Sequence, residues 1–85
     1  MGNDEFLKIA EEEVRRYTNE QYLEEPHGYD VYVVWVCKTL QNNKALLSTT
    51  LSDGMYFEVT YNGDKKELYF DAYHKLENRC INVEG

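Results

Sequence analysis

Cysteine and histidine are the residue types best suited to nucleophilic or metal chemistry, and this chain has two of each. Cys37 lies inside an apolar run, VYVVWVCK, where a thiol is ordinarily inert packing. Cys80 and His74 could form a Cys/His pair, but a nucleophile also needs a base that a third group orients. His27 has no second histidine or cysteine near it, whereas a metal site needs three or four convergent ligands. We therefore predict no catalytic residue, no metal site and no cofactor.

Carboxylates carry little information in this chain, because with sixteen Asp and Glu some pair is always close in sequence. The glycines form neither GxGxxG nor GxxxxGK, and no serine lies in a GxSxG motif. A small hydrolase that uses carboxylates is the enzyme that this composition allows, with Glu58 and Asp71 as the first pair to test. The patterns favour a protein that is not an enzyme.

The charge of the chain excludes some classes of partner. Nine Lys and Arg oppose sixteen Asp and Glu, for a formal net charge of −7. Direct nucleic-acid binding needs a basic stripe, and an anionic membrane repels an acidic protein, so neither partner is expected. An acidic surface serves solubility in many proteins and equally suits a basic protein partner. Acidity alone does not separate a nucleic-acid mimic, whose carboxylates are spaced like phosphates, from a merely soluble protein.

Length and targeting features predict one small domain in the cytoplasm. Eighty-five residues suffice for a single core, so residues 1–85 are expected to form one domain. The sequence shows no signal peptide and no apolar run near the roughly 20 residues of a membrane span. Two cysteines are too few for a disulfide framework, which favours a reducing, intracellular setting with both thiols free.

The first predicted element is an amphipathic helix over residues 4–21. Its apolar residues recur at steps of three and four, which puts them on one helix face: Phe6, Ile9, Ala10, Val14 and Tyr17. Pro26 and Gly28 then interrupt regular structure, so residues 22–30 are predicted to be a linker.

Residues 31–83 are predicted to form the sheet. β-Branched and aromatic residues dominate 31–40, and strict alternation would put Val31, Val33, Trp35 and Cys37 on one face and Tyr32, Val34 and Val36 on the other. Both faces are apolar, so Trp35 is expected in the core, the favoured alternative, or in an interface. Further strands are expected at 44–50, 55–61, 66–73 and, as a short last strand, 80–83. The predicted fold class is α+β, with one N-terminal amphipathic helix packed on a mostly antiparallel four- or five-stranded sheet.

Asn62-Gly63-Asp64 is the strongest hairpin signal in the chain, because Asn and Gly tolerate the positive φ of a tight turn. If the last two of these are the turn residues, Val59 faces Leu68. If the first two are, Glu58 faces Glu67, and like charges directly opposite are destabilising. We therefore favour the first register.

Either register sorts the hairpin side chains in the same way. The inner face would carry Met55, Phe57, Val59, Leu68, Phe70 and Ala72. The outer face would carry Tyr56, Glu58, Thr60, Tyr69, Asp71 and Tyr73. Three tyrosines with two carboxylates on one sheet surface form the candidate interaction face. The alternative is structural, since tyrosines that pack across strands stabilise an open sheet face by about 0.2–1 kcal/mol per pair.

Four segments also carry a family resemblance: 31–40, 41–49, 53–56 and 58–65, which include YVVW, QNNKALLST, DGMY and EVTYNGDK. Here the chain resembles a family of short uncharacterised proteins, with a domain of unknown function, from tailed phages and prophages of Gram-positive bacteria. The resemblance covers about residues 30–82. It implies a phage or prophage origin and the cytoplasm of a bacterial host, and it implies no activity and no functional residues.

Two classes of function fit these observations. The first is a non-catalytic acidic accessory protein that binds a host or viral protein and masks a basic surface, with an association that weakens as salt rises. The alternative is a small-molecule-binding homodimer, a sponge or sensor that encloses a polar ligand between Tyr-lined faces. A homodimer would place Trp35 in an interface.

Overall fold

In the computed structural model of the chain, which describes residues 1–22 and 28–84, one helix packs on a four-stranded sheet. The elements are α1 (Asn3–Gln21), β1 (Val31–Thr39), β2 (Asn42–Thr49), β3 (Met55–Asn62) and β4 (Glu67–His74). Neighbouring strands are antiparallel, in the order β1-β2-β3-β4. This confirms the predicted α+β class. Residues 23–27, which include His27 and most of the predicted linker, lie outside the described residues.

The core lies between α1 and one face of the sheet. The helix contributes Phe6, Ala10 and Val14, which recur at four-residue steps and are fully buried. The sheet contributes Ala45, Leu47, Phe57 and Val59, none more than 1% exposed. Tyr17 packs at the edge of this cluster, with its ring centroid 5.6 Å from those of both Phe57 and Phe70. We call the helix-covered side the inner face.

A β-bulge in β1 corrects the predicted faces of that strand. Val33 pairs with Leu47 but Trp35 pairs with Leu46, so one extra residue is inserted between these two positions. The insertion turns Trp35 and Cys37 away from the helix and brings Val36 to the inner face, opposite Ala45. The core placement of Trp35 and the packed placement of Cys37 were therefore wrong, because both side chains are exposed.

The register of the β3–β4 hairpin differs from both predicted registers. Val59 pairs with Phe70, so the loop contains four residues, 63–66, rather than two. The Asn62 side chain closes it, since its Oδ1 accepts from the amides of Asp64 and Lys65 at 3.1 and 3.2 Å. The observed pairing is shifted by two residues from the favoured register and by four from the alternative. Side chains alternate with a period of two, so either shift keeps each side chain on the same face. The inner and outer sets of the hairpin are therefore as predicted.

Gly63 is needed for a close approach and not for a left-handed backbone. Lys66 is the loop residue with positive φ, at 55°. A Cβ on Gly63 would lie 2.2 Å from the carbonyl oxygen of Gln41, at the tip of the β1–β2 hairpin. The Gly63 amide donates to Asn42 Oδ1 at 3.1 Å. The two hairpin tips are thus in direct backbone contact.

The predicted last strand at 80–83 is absent from the described sheet, which ends with β4 at His74. Lys75 donates one more hydrogen bond, to the carbonyl of Gly54 at 2.8 Å. We call residues 75–84 the tail. It contains no helix, strand, turn or bend, and all of its residues are exposed.

Candidate functional site: the outer face of the sheet

The side of the sheet opposite α1, which we call the outer face, gathers the residues that the sequence singled out. Its side chains form three rows across the strands: Tyr32–Ser48–Tyr56–Tyr73, Trp35–Leu46–Glu58–Asp71 and Cys37–Lys44–Thr60–Tyr69. All six predicted interaction residues lie here, and Trp35 lies on the same face. The pairing of the four strands positions them, because alternate residues of a strand point to one side and the bulge in β1 brings Trp35 to the same side as Tyr32.

Large aromatic side chains are half exposed across this face. Trp35 is 42% exposed, Tyr69 47% and Tyr73 51%, and Tyr32 is exposed to a similar degree. The helix contacts β1, β2 and β3 from the inner side, and no described element lies over the outer face. An aromatic surface of this kind, interrupted by polar groups, is typical of a binding site.

The charges on the outer face are mostly negative. Glu58 lies directly opposite Asp71. This is a like-charge pair, and a pair of this kind, Glu58 with Glu67, was the reason for rejecting one of the two predicted registers. Lys44 offsets this repulsion, because its Nζ lies 3.3 Å from Glu58 Oε1. The Tyr69 hydroxyl donates to the carboxylate of Glu67, and this hydrogen bond raises the pKa of Tyr69 above its usual value. The face therefore combines aromatic rings with three carboxylates and two lysines: Lys44, paired with Glu58, and Lys75, whose Nζ lies 5.9 Å from the centroid of the Tyr56 ring.

A groove of about 370 Å³ lies beside the indole, where the outer face meets the β1–β2 hairpin. Its walls include Trp35, Cys37, Lys44 and Thr60. The Cys37 thiol lies 3.7 Å from the Thr39 hydroxyl, and both are exposed. The groove offers a partner side chain contact with an aromatic ring on an otherwise flat sheet.

A second concavity, of about 350 Å³, lies on the inner side near the end of α1. Tyr17, Met55 and Phe57 form its apolar wall, and Thr18 and His74 also line it. The Thr18 hydroxyl is buried and has no hydrogen-bond partner among the described residues. At the rim, the Tyr22 hydroxyl donates to Asp53 Oδ2 at 2.7 Å, and that hydrogen bond raises the pKa of Tyr22.

Sequence reasoning missed the contribution of β1 and β2 to the outer face. Tyr32, Lys44 and Leu46 lie in the same rows as the predicted residues but were not assigned to the site. In β1, Tyr32 precedes the bulge and lies on the opposite face from Val31 and Val33 as predicted, but both faces of this run are apolar, so the sequence does not mark its face as the open one. For Trp35 and Cys37 the cause is the bulge, because such a run contains no signal for an inserted residue. In β2 a signal existed, since the alternation of polar Lys44 and apolar Ala45 marks an outward and an inward position.

The residues that the structure describes also bear on a metal site, a membrane-spanning helix and the Cys/His pair. No group of three or more His, Cys, Asp or Glu among them is placed to hold a metal ion. No described helix is both long enough and apolar enough to cross a membrane. His74 and Cys80 are both exposed, and Cys80 lies in the tail.

Comparison with known proteins identifies a family. The model of a family of unknown function, DUF6275, matches residues 7–83, which include all four strands and nearly all of α1. The chain belongs to the DUF6275 family. No curated protein and no solved structure matches it. The outer face is therefore the feature of this DUF6275 protein from which a function can be proposed.

Proposed function

We propose that this DUF6275 protein is a non-catalytic binding protein of phage or prophage origin. In this proposal its outer face docks on a host or viral protein in the bacterial cytoplasm and masks a basic surface of that partner. The observation that carries the proposal is the half-exposed aromatic face, with carboxylates between the rings and no described element over it.

The composition of the outer face suits protein recognition. Tyr and Trp are enriched at protein interfaces because they supply a large contact area with few rotatable bonds. Here they stand on paired strands, so little backbone conformational freedom is lost when a partner binds. Trp35 and Tyr73 lie at opposite edges of the sheet, on β1 and β4, so the aromatic surface spans its full width.

Electrostatics favours a basic partner. Glu58 on β3 and Asp71 on the edge strand β4 lie side by side in the middle row of the outer face, and the chain has a net charge of −7. A positive surface would be attracted over a distance and would relieve the repulsion between these carboxylates. A lysine or arginine of the partner in the groove would also stack on Trp35, a cation–π contact worth about 0.5–2 kcal/mol.

The experiment compares the proteins that bind to three tagged forms of the chain in host cells. The outer-face form carries Tyr32→Ser and Trp35→Ser. The control carries Tyr22→Ser, which also removes an exposed tyrosine but lies outside the outer face. We expect the wild type and the control to capture the same partner and the outer-face form to lose it, as measured by quantitative mass spectrometry. Capture that is unchanged by the outer-face substitutions would overturn the proposal.

The captured partner, once purified, tests the electrostatic part of the proposal. Raising the ionic strength from about 0.01 to 1 M shortens the Debye length from about 30 to 3 Å. We expect the association rate constant, measured by surface plasmon resonance, to fall by at least tenfold over this range. A rate that is indifferent to salt, or a partner with an acidic docking surface, would contradict masking of a basic surface.

Small-molecule binding is the second candidate function, and the cavity at the end of α1 favours it. Its apolar wall and the unpaired hydroxyl of Thr18 would suit a small ligand with one hydrogen-bonding group. Native mass spectrometry of the protein purified from cells tests this function. A co-purified mass that is retained by wild type and lost from a Thr18→Val variant supports it, and spectra of the bare chain alone contradict it.

A further inference from the structure

Strand β4 is an unprotected edge of the sheet. It is the last strand in the order, and all of its residues except Phe70 are exposed. Natural proteins guard such edges with bulges, proline or charged side chains, most often lysine. In β4 the charged residues are Glu67 and Asp71. The opposite edge, β1, has both a bulge and Lys38, whereas β4 pairs with β3 in an uninterrupted register and contains neither Lys nor Pro.

The hydrogen-bonding groups of the free edge can be assigned. Lys75 donates to Gly54 at 2.8 Å, so its backbone N–H and C=O point toward β3. The direction alternates along a strand, and the next four groups that point away from β3 are those of His74, Ala72, Phe70 and Leu68. These residues offer four N–H and four C=O groups to a further strand.

The tail continues beyond this edge without a partner strand. Leu76 is 90% exposed, Ile81 76% and Val83 86%. The radius of gyration is 14.9 Å, whereas a compact chain of this length has about 12 Å, so the molecule is more extended than a compact domain. An exposed segment with three large apolar side chains lies next to an open strand edge, and both belong to the same molecule.

We propose that two copies of this chain exchange their tails, each laying residues 76–83 antiparallel along β4 of the other copy. The two segments match in length, because β4 has eight residues and 76–83 has eight. A two-fold axis at Lys75 pairs them in full. In this register the backbone N–H and C=O groups of the even-numbered tail residues face those of the even-numbered β4 residues of the second copy. These are the β4 groups that point away from β3, so the hydrogen bonds of an antiparallel ladder can form.

Side-chain chemistry supports this register. It places Asp71 opposite Arg79 of the second copy and Tyr69 opposite Ile81 of the second copy. Opposite charges across strands are stabilising, and the cross-strand partner of Asp71 in β3 is the like-charged Glu58. Arg79 contacts its neighbour Glu77 at 2.6 Å, an exposed pair of little energetic weight. The two Lys75 residues lie opposite one another at the axis, and the Nζ of each lies over the Tyr56 ring of its own chain, 5.9 Å from the centroid.

The exchanged dimer extends the sheet sideways and leaves the outer face open on both copies. The exchanged dimer can therefore be tested independently of the proposed binding function. It also doubles the area of the aromatic surface and makes any partner interaction bivalent.

A charge swap in the full-length chain tests the exchange. Asp71→Arg and Arg79→Asp each put like charges opposite one another at two symmetry-related places, and the double variant restores opposite charges. Light scattering and sedimentation should show a dimer for wild type, a dissociation constant at least tenfold higher for each single variant, and recovery to within about threefold for the double variant. Arg16→Asp, the same charge change on α1, is the control and should leave dissociation unchanged.

Proline substitutions in the tail provide a second test that does not touch the core. The Asn78 amide would donate across the exchanged ladder, whereas the Glu77 amide would point away from it. Asn78→Pro should therefore yield monomer while Glu77→Pro remains dimeric. A wild-type monomer at high micromolar concentration, single charge variants with unchanged dissociation, a double variant that does not recover, or equal effects of the two prolines would each overturn the proposal.

Discussion

The two faces of β3 share one backbone and differ in what covers them. On the inner face Phe57 and Val59 are completely enclosed by α1 and the neighbouring strands. On the outer face Tyr56, Glu58 and Thr60 alternate with them, and no described element lies over them. Because the inner face supplies the core, we expect substitutions there to cost more stability than substitutions on the outer face.

The largest expected effect is a truncation on the inner face. Phe57→Ala should lower the free energy of unfolding by about 3–5 kcal/mol, because it removes the ring that contacts Tyr17 and Phe70 and leaves a cavity. Tyr73→Ala, on the outer face, should cost less than about 1 kcal/mol. Urea denaturation at one protein concentration measures both. Equal losses would remove the distinction between the two faces.

The next effect concerns the contact between the hairpin tips. Gly63→Ala should lower the free energy of unfolding by about 1–3 kcal/mol, because the new methyl group would overlap the backbone of Gln41. Gly2→Ala is the matched control, since a Cβ there meets nothing within 4 Å. Its effect should stay within about 0.5 kcal/mol. Thermal unfolding followed by circular dichroism would detect the difference.

A smaller effect is expected for the lysine of the outer face. Lys44→Met should lower stability by about 0.5–1 kcal/mol at low salt, because Glu58 and Asp71 would then face each other without a cation. Adding Asp71→Asn should abolish most of this loss. If Lys44→Met costs the same in both backgrounds, the lysine does not act by offsetting the carboxylate pair.

The smallest effect is the alkaline titration of Tyr69. Its hydrogen bond to Glu67 raises the pKa of Tyr69 in the folded state above the usual value of 10.0. The stabilisation is present below pH 10 and is lost as the pH rises through the folded-state pKa. Ultraviolet titration should show that Tyr69→Phe removes a late-ionising tyrosine, and the stability difference from wild type should vanish in strong alkali. Removal of a tyrosine of ordinary pKa would contradict the hydrogen bond.

The helix was predictable from local pattern alone. Its predicted range, 4–21, differs by one residue from the observed Asn3–Gln21, and Phe6, Ala10 and Val14 are buried as expected. The hairpin faces were also predictable, because a register error of two residues does not exchange the faces of a strand. The register itself was wrong, because a two-residue turn was expected, whereas the loop that Asn62 closes has four residues.

The bulge of β1 and the missing strand at 80–83 were not predictable from local pattern. VYVVWV is apolar at consecutive positions, so an inserted residue leaves no trace in the alternation. Cys80-Ile81-Asn82-Val83 has strand-forming residues, but a strand also needs a neighbour to pair with. The described chain supplies none, and the proposed second copy would.

By itself, the sequence determined the helix, the class of the fold and which hairpin side chains share a face. These properties follow from periods of about 3.6 and 2 residues, which arise within a single segment. The tertiary structure decided the loop length, the side to which Trp35 points and the assembly of four strands into one aromatic surface. These three features depend on contacts between segments that are distant in sequence, such as the contact of Gly63 with Gln41. The residue pattern of a single strand gives no information about such contacts.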